Sequence, residues 1–136
     1  MAAIKSYTDL EQSNKLVKIL PIESADMGYL WNGTSFCDYP VSNQTIFKRV
    51  ENIPCWSLAA LLNILPQSIT KYIEGESCQK TFHLNLFRSH YYCCSYSFSP
   101  SISDDDGNNT LYCVGKYNWV DACVAMVEKL KELNLL

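Results

Sequence analysis

The sequence has little positive charge, few glycines and no cofactor-binding motif. It carries 11 basic residues, only two of them arginine, against 14 acidic residues, for a net charge of −3. General nucleic-acid binding is not expected, because a phosphate-backbone binder needs a basic face. With five glycines, the chain has no glycine-rich phosphate loop, and neither G-x-S-x-G nor H-E-x-x-H occurs. We therefore expect no cofactor and no enzymatic activity.

Long apolar runs are also missing. No uninterrupted apolar stretch approaches the ~18 residues that span a bilayer. A signal peptide needs an apolar core, and the first 20 residues are interrupted by Lys5, Asp9, Glu11, Lys15 and Lys18. The seven cysteines include no C-x-x-C pair, and their odd number is typical of reduced thiols. We expect a cytoplasmic protein with no membrane contact.

The size and composition are those of one globular domain over residues 1–136. The mass is 15.5 kDa, and apolar residues make up 48% of the chain. A chain of this length can bury enough surface to fold without disulfides or a structural metal. A homo-oligomer is compatible with the sequence.

Three segments have the pattern of helices. Residues 8–19 begin with a capping box formed by Thr8 and Glu11, and Pro21 follows their end. Residues 54–66 are apolar at helical spacing on nearly every side and predict a buried helix. The last helix starts at the cap residue Asn118. Its predicted buried stripe consists of Val120, Cys123, Val124, Val127, Leu130 and Leu133.

Alternating patterns predict strands between the helices. Residues 82–87 and 92–98 alternate with period two, and the short segment Arg88-Ser89-His90 between them predicts a hairpin. Residues 27–31, 45–50, 69–73 and 110–114 are further candidates, and an Asp-Gly turn is predicted within 104–109. Because the strands are grouped rather than alternating with helices, the predicted class is α+β. We expect an antiparallel meander of three to five strands packed against three helices.

Cysteine and histidine chemistry has weak support in the sequence. His90 and Cys93 are three residues apart on a predicted strand, so their side chains diverge and no metal site is expected. The cysteines are expected to be free, with Cys37 and Cys78 the most accessible because they lie in polar sequence. A small enzyme using cysteine and histidine remains the least favoured alternative.

Aromatic residues are abundant, with nine tyrosines and three tryptophans. Tyr and Trp combine a flat apolar face with a polar group, and they recur at binding surfaces. A groove that stacks a base and holds a phosphate is one interpretation; the other is that the rings fill the space between sheet and helices. The candidate ligand-binding residues are Tyr29, Trp31, Trp56, Arg88, His90, Tyr91 and Trp119.

Three segments carry a family resemblance. They are residues 20–27 (LPIESADM), residues 53–62 (IPCWSLAALL) with the following Leu65-Pro66, and residues 118–123 (NWVDAC) leading into the last helix. From about residue 8 to its end, the chain resembles a family of small uncharacterised proteins encoded by phages, prophages and mobile elements of gut bacteria. The resemblance implies an accessory protein in the cytoplasm of a bacterial host, but it implies no activity.

Two functions follow as hypotheses from this resemblance and the aromatic content. The first is non-covalent binding that counters host defence, in its sharpest form by sequestering a host signalling nucleotide between aromatic rings. The second is a protein–protein interaction module that acts as an inhibitor or an assembly subunit. A concave pocket lined by Trp, Tyr and cations would favour the first hypothesis. An exposed apolar patch without a deep pocket would favour the second.

Overall fold

The fold is mixed α+β, as the grouping of strands predicts. The computed structural model describes residues 4–42, 51–72, 79–98 and 110–136. In this part of the chain the helices are α1 (Leu10–Leu16), α2 (Leu58–Ile64) and α3 (Trp119–Glu132), with a short 3₁₀ turn at Ile22–Ser24. The strands are β1 (Met27–Tyr29), β2 (Ile53–Cys55), β3 (Ser68–Tyr72), β4 (Gln79–Arg88), β5 (Tyr92–Ser97) and β6 (Thr110–Lys116).

The larger sheet is the predicted antiparallel meander. Its strand order is β3-β4-β5-β6, so each strand pairs with its neighbour in the sequence. Leu84 pairs with Tyr96 and Leu86 with Cys94, which sets these side chains on one face. That face packs on the helices, because Cys94 and Tyr96 belong to the central core cluster. The period-two pattern of the sequence therefore identifies the buried face correctly.

Helix α3 covers this face and confirms the predicted last helix. It packs across β5 and β6 and against α2. The side chain of Asn118 accepts a hydrogen bond from the Asp121 backbone N–H at 2.8 Å, as expected of a cap. Five of the six residues of the predicted stripe are buried. Leu133 is instead 45% exposed, because the helix ends at Glu132 and Leu133 is its C-terminal cap.

The first helix is shorter than predicted and has a different cap. Its capping box is formed by Asp9 and Gln12, one position beyond the predicted pair. Thr8 does not cap, because its hydroxyl is buried and bonded to that of Ser13 at 2.8 Å. The polar Ser13 therefore lies on the buried side of the helix with a partner of its own. The backbone N–H of Trp56 also donates to the Thr8 hydroxyl.

The second predicted helix divides into a strand and a shorter helix. Ile53–Cys55 forms β2 and pairs with β1, so the prediction of helix from residue 54 is wrong. Helix α2 begins only after Ser57, whose hydroxyl accepts from the Ala60 N–H. Asp26 fixes this start, because its carboxylate accepts hydrogen bonds from both the backbone N–H and the hydroxyl of Ser57.

The remaining predictions divide between confirmed elements and undescribed ones. Strand β1 lies within the predicted 27–31 segment. The predicted Asn32-Gly33 turn is present: the Asn32 side chain accepts from two following N–H groups, and Gly33 has a positive φ of 98°. The predicted strand at 45–50 and turn at 104–109 lie outside the described residues. Over the described ranges, no helix has the length and apolar character needed to cross a membrane.

Candidate functional site

Two of the candidate binding residues lie in the core. Trp56 has no exposed surface, and its indole N–H donates to the Ser24 hydroxyl at 2.9 Å. Tyr29 is 4% exposed, and its hydroxyl donates to the Thr8 carbonyl at 2.8 Å. Burial raises the pKa of Tyr29 well above its usual value. Both aromatic side chains thus have buried polar partners and belong to the core rather than to a binding surface.

Trp31 lies apart from the other candidates. It is 39% exposed and makes an edge-to-face contact with Phe36, with ring centroids 4.9 Å apart. Its backbone N–H donates to the Asn52 side chain. No ring contact or hydrogen bond between described residues joins Trp31 to the other aromatic candidates. The predicted single groove is therefore not assembled from all seven residues.

Arg88, Tyr92 and Trp119 form a stack on the helix side of the sheet. Arg88 ends β4, Tyr92 begins β5 directly opposite it, and Trp119 begins α3. The Arg88 guanidinium lies 4.8 Å from the Tyr92 ring centroid, and the Tyr92 and Trp119 rings meet edge to face at 4.9 Å. Arg88 forms no ion pair with any described carboxylate. The stack therefore presents an ordered cation whose charge is not neutralised within the described chain.

Tyr91 and Tyr117 form a second pair at the same end of the sheet. Their ring centroids are 5.8 Å apart, and the side chains are 48% and 82% exposed. Gly115 makes room for Tyr91, because a Cβ at position 115 would lie 3.2 Å from the Tyr91 Cβ. Both tyrosines thus present apolar ring surface to solvent from a fixed strand end.

These residues lie at one end of the sheet, with the stack on its helix side and the tyrosine pair on the face of Cys93, and we name this end the hairpin-end surface. Its formally charged residues are Arg88 and Lys116, which are both positive, and His90 is exposed in the hairpin turn. Lys116 is in register with Tyr92. The hairpin-end surface consists of Arg88, His90, Tyr91, Tyr92, Lys116, Tyr117 and Trp119. Of the candidate residues, it contains Arg88, His90, Tyr91 and Trp119.

Sequence reasoning left Tyr92, Lys116 and Tyr117 out of the candidate set. The sequence signal for Tyr117 is its place between the end of a predicted strand and the Asn118 cap. Tyr92 could have been found by pairing the two predicted strands across their short loop, since this places it opposite Arg88. Lys116 follows from the same register on the next strand.

The principal cavities in the described residues are open grooves, and of the hairpin-end residues only Lys116 lines one of them. The largest, of about 780 Å³, lies between α1 and α3, with Lys15, Ile19 and Leu133 among its lining residues. Two smaller ones have volumes of about 230 and 240 Å³. The tyrosine and tryptophan side chains line none of these three grooves.

The acidic groups nearest the start of α3 are held in a separate network. Asp121 accepts hydrogen bonds from Lys5, at 2.8 Å, and from Gln12, and Lys5 also binds Asp9. Partial burial acts to raise the pKa of Asp121, but the bonds from Lys5 and Gln12 outweigh it and lower the pKa. The pKa of Asp9 is lowered in the same way against its own burial. This network ties α1 to α3 and keeps both carboxylates charged.

Six of the cysteines are described, and all six are free thiols. Cys94 and Cys123 meet in the core, where their mutual interaction and burial raise the pKa of Cys94. Cys93 lies on the other face of β5, as predicted from its adjacency to Cys94. Cys113 is exposed beside it, which the sequence did not indicate, whereas Cys78 lies outside the described residues. Among the described residues, no three His, Cys, Asp or Glu side chains converge to hold a metal ion.

Comparison with known proteins adds no family to this description. No protein-family model, curated protein or solved structure matches the chain.

Proposed function

We propose that this chain acts by non-covalent binding, without catalysis, and that the hairpin-end surface binds a protein partner. One observation carries the proposal: Tyr117 and Tyr91 are 82% and 48% exposed at the same end of the sheet as Arg88, which has no described ion-pair partner. Exposed aromatic side chains cost hydration free energy in the free protein. A partner that covers them recovers that free energy.

The residue types support a protein partner. Tyrosine, tryptophan and arginine are the residues that most often dominate protein–protein binding energy, and all three meet here. The rings are held by edge-to-face contacts and by the sheet, so few rotamers are lost when they bind. The indole N–H of Trp119 donates to no described residue, which leaves it free for a partner's carbonyl or carboxylate.

The charge of the surface selects the kind of partner. Arg88 and Lys116 are positive, whereas the chain as a whole carries −3. A positive patch on an acidic protein is complementary to an acidic patch, and its attraction accelerates encounter at low salt. We therefore propose a partner that presents acidic residues around an apolar centre.

The biological setting rests on the resemblance to phage and mobile-element proteins. On that basis the partner is a host protein of the bacterial cytoplasm, and binding would block a defence or regulatory component. Sequestering a signalling nucleotide stays a prediction. It would have to use the exposed face of Tyr117 or Tyr91 with Arg88, because the principal cavities contain no aromatic wall.

Site-specific photo-crosslinking tests the protein version. A photoreactive phenylalanine analogue replaces Tyr117 in one variant and Tyr72 in a control variant, since Tyr72 is 72% exposed on β3. Both variants are expressed in the bacterial host and irradiated. We expect one defined host protein to be crosslinked from position 117 and not from position 72. Equal crosslinking from both positions, or none from position 117, contradicts the proposal.

A thermal-shift screen tests the nucleotide version separately. Cyclic di- and trinucleotides are added to the wild-type protein and to Tyr117→Ala. A ligand at 100 times its dissociation constant stabilises the fold by ~2.7 kcal/mol, which moves the melting temperature by several degrees. A shift that disappears in Tyr117→Ala supports nucleotide binding at this surface. If none of these ligands changes the melting temperature, the hypothesis of nucleotide binding is excluded.

A further inference from the structure

A second cationic group lies on the helix side of the sheet, around Tyr112. The ammonium group of Lys71 donates to the Tyr112 hydroxyl at 3.0 Å and lies 5.6 Å from the ring centroid. The ammonium group of Lys129 lies 5.2 Å from the same centroid. These three residues come from β3, β6 and α3, so the tertiary fold brings them together. We name them the Lys71–Tyr112–Lys129 cluster.

The two lysines have no anionic partner among the described residues. Of the described lysines, Lys5 and Lys15 form ion pairs with carboxylates, at 2.8 to 3.6 Å, whereas Lys71 and Lys129 form none. Both are half-buried, so water screens their repulsion only in part. Glu128 and Glu132 lie on the same helix as Lys129, but neither pairs with it.

The hydroxyl of Tyr112 completes the arrangement. It accepts the hydrogen bond from Lys71, so its own proton is directed elsewhere, and it donates to no described residue. Two ammonium groups and one hydroxyl proton thus lie around the Tyr112 side chain, and no described carboxylate pairs with either lysine. Such a set of donors matches an oxyanion, which carries several acceptor oxygens on one centre.

We propose that the Lys71–Tyr112–Lys129 cluster binds a phosphate group. Lys71 and Lys129 supply the charge, and the Tyr112 hydroxyl donates to a phosphate oxygen. The phosphate belongs either to an inorganic anion or to a nucleotide. This site is independent of the hairpin-end surface and of the function proposed for it.

The position of Lys71 has a second possible explanation, since a lysine that faces inward on an edge strand can protect the edge of a sheet. Such a lysine hinders pairing with a second sheet, and Lys71 lies on β3, an edge of the meander in the described chain. That role involves neither the Tyr112 hydroxyl nor Lys129. Removing the hydroxyl in Tyr112→Phe therefore distinguishes the two explanations, because only phosphate binding depends on it.

Calorimetric titration tests the proposal with inorganic pyrophosphate and uridine diphosphate, the two sources of phosphate, at constant ionic strength. We expect saturable binding of one or both by the wild-type protein. Lys71→Met and Lys129→Met each remove a charged donor and weaken binding by about tenfold or more. Tyr112→Phe keeps the ring and weakens it by about fivefold. The control Lys15→Met changes an exposed lysine paired with Glu11 and leaves affinity unchanged.

Three results would overturn the proposal. The first is the absence of saturable heat with both phosphate compounds. The second is equal weakening by Lys15→Met, which would mean general attraction to positive charge. Lys71→Arg guards against misfolding, since it preserves the charge and is expected to retain binding within about threefold. Loss of binding in Lys71→Arg with an unchanged circular dichroism spectrum would also count against the site.

Discussion

Two tryptophans beside helix starts have opposite surroundings. Trp56 precedes the Ser57 cap of α2 and is fully buried, with its indole N–H bonded to Ser24. Trp119 follows the Asn118 cap of α3 and is half-buried against Tyr92, with no described acceptor for its N–H. A tryptophan next to a helix cap is thus part of the core in one case and part of a surface in the other.

The difference shows which aromatic residues are available for binding. A buried ring whose polar group is satisfied inside the protein contributes to folding and has nothing left for a partner. A ring stacked on one side only, with a free N–H or hydroxyl, retains both apolar area and a donor. By this criterion the aromatic residues of the hairpin-end surface are available, and Tyr29 and Trp56 are not.

The largest effect is expected from Trp56→Ala. Removing this fully buried ring leaves a cavity and removes the hydrogen bond that its indole N–H donates to the Ser24 hydroxyl. We expect the free energy of unfolding to fall by about 3–5 kcal/mol, measured by urea denaturation. Trp119→Ala is the matched control and should lose clearly less. Equal losses in the two variants would remove the distinction between the two tryptophans.

Smaller losses are expected from shortening aliphatic side chains in the same core. Leu61 and Val127 have no exposed surface and lie midway along α2 and α3. Leu61→Ala should cost about 2–5 kcal/mol of unfolding free energy, and Val127→Ala less, because fewer methyl groups are lost. The midpoint of urea denaturation measures both. Wild-type midpoints in the two variants would mean that these helix faces do not pack as described.

The sequence predicts much of this fold because the periodic segments are buried on one face. The meander and α3 are confirmed, since alternation and helical spacing follow directly from which side chains face the core. The errors lie where tertiary contacts override local pattern. The Thr8 hydroxyl forms a buried hydrogen bond with Ser13, so Asp9 and not Thr8 caps α1. Ile53–Cys55 pairs with β1, although its composition continues the apolar run of α2.

The candidate site was less predictable. Composition indicates an excess of tyrosine and tryptophan, but which rings are exposed depends on contacts between distant segments. The hairpin register places Tyr92 opposite Arg88, but Trp119 meets Tyr92 only after the meander places α3 beside β5. Lys71 and Tyr112 are 41 residues apart and meet across the face of the sheet. The spacing of residues along the chain does not indicate which distant side chains will come into contact.

A small effect of pH is expected at the start of α3. The pKa values of Asp9 and Asp121 are lowered, so their contribution to stability is present above the usual carboxyl value of 3.8 and is lost as pH falls through the folded values. Because Asp9 is exposed and Asp121 is only partly buried, the effect should be about 1 kcal/mol or less. Unfolding of wild-type protein and Asp121→Asn is compared between pH 6 and pH 2.5. An identical pH dependence in the two would contradict this role for Asp121.

The most direct test of the account is the stability of the double variant Tyr91→Ala/Tyr117→Ala. If these tyrosines serve binding and not folding, only their mutual ring contact is lost. The free energy of unfolding should then fall by less than about 1.5 kcal/mol. A loss as large as that of Trp56→Ala would show that the two tyrosines hold the fold together. It would contradict the claim that the hairpin-end surface is kept for a partner.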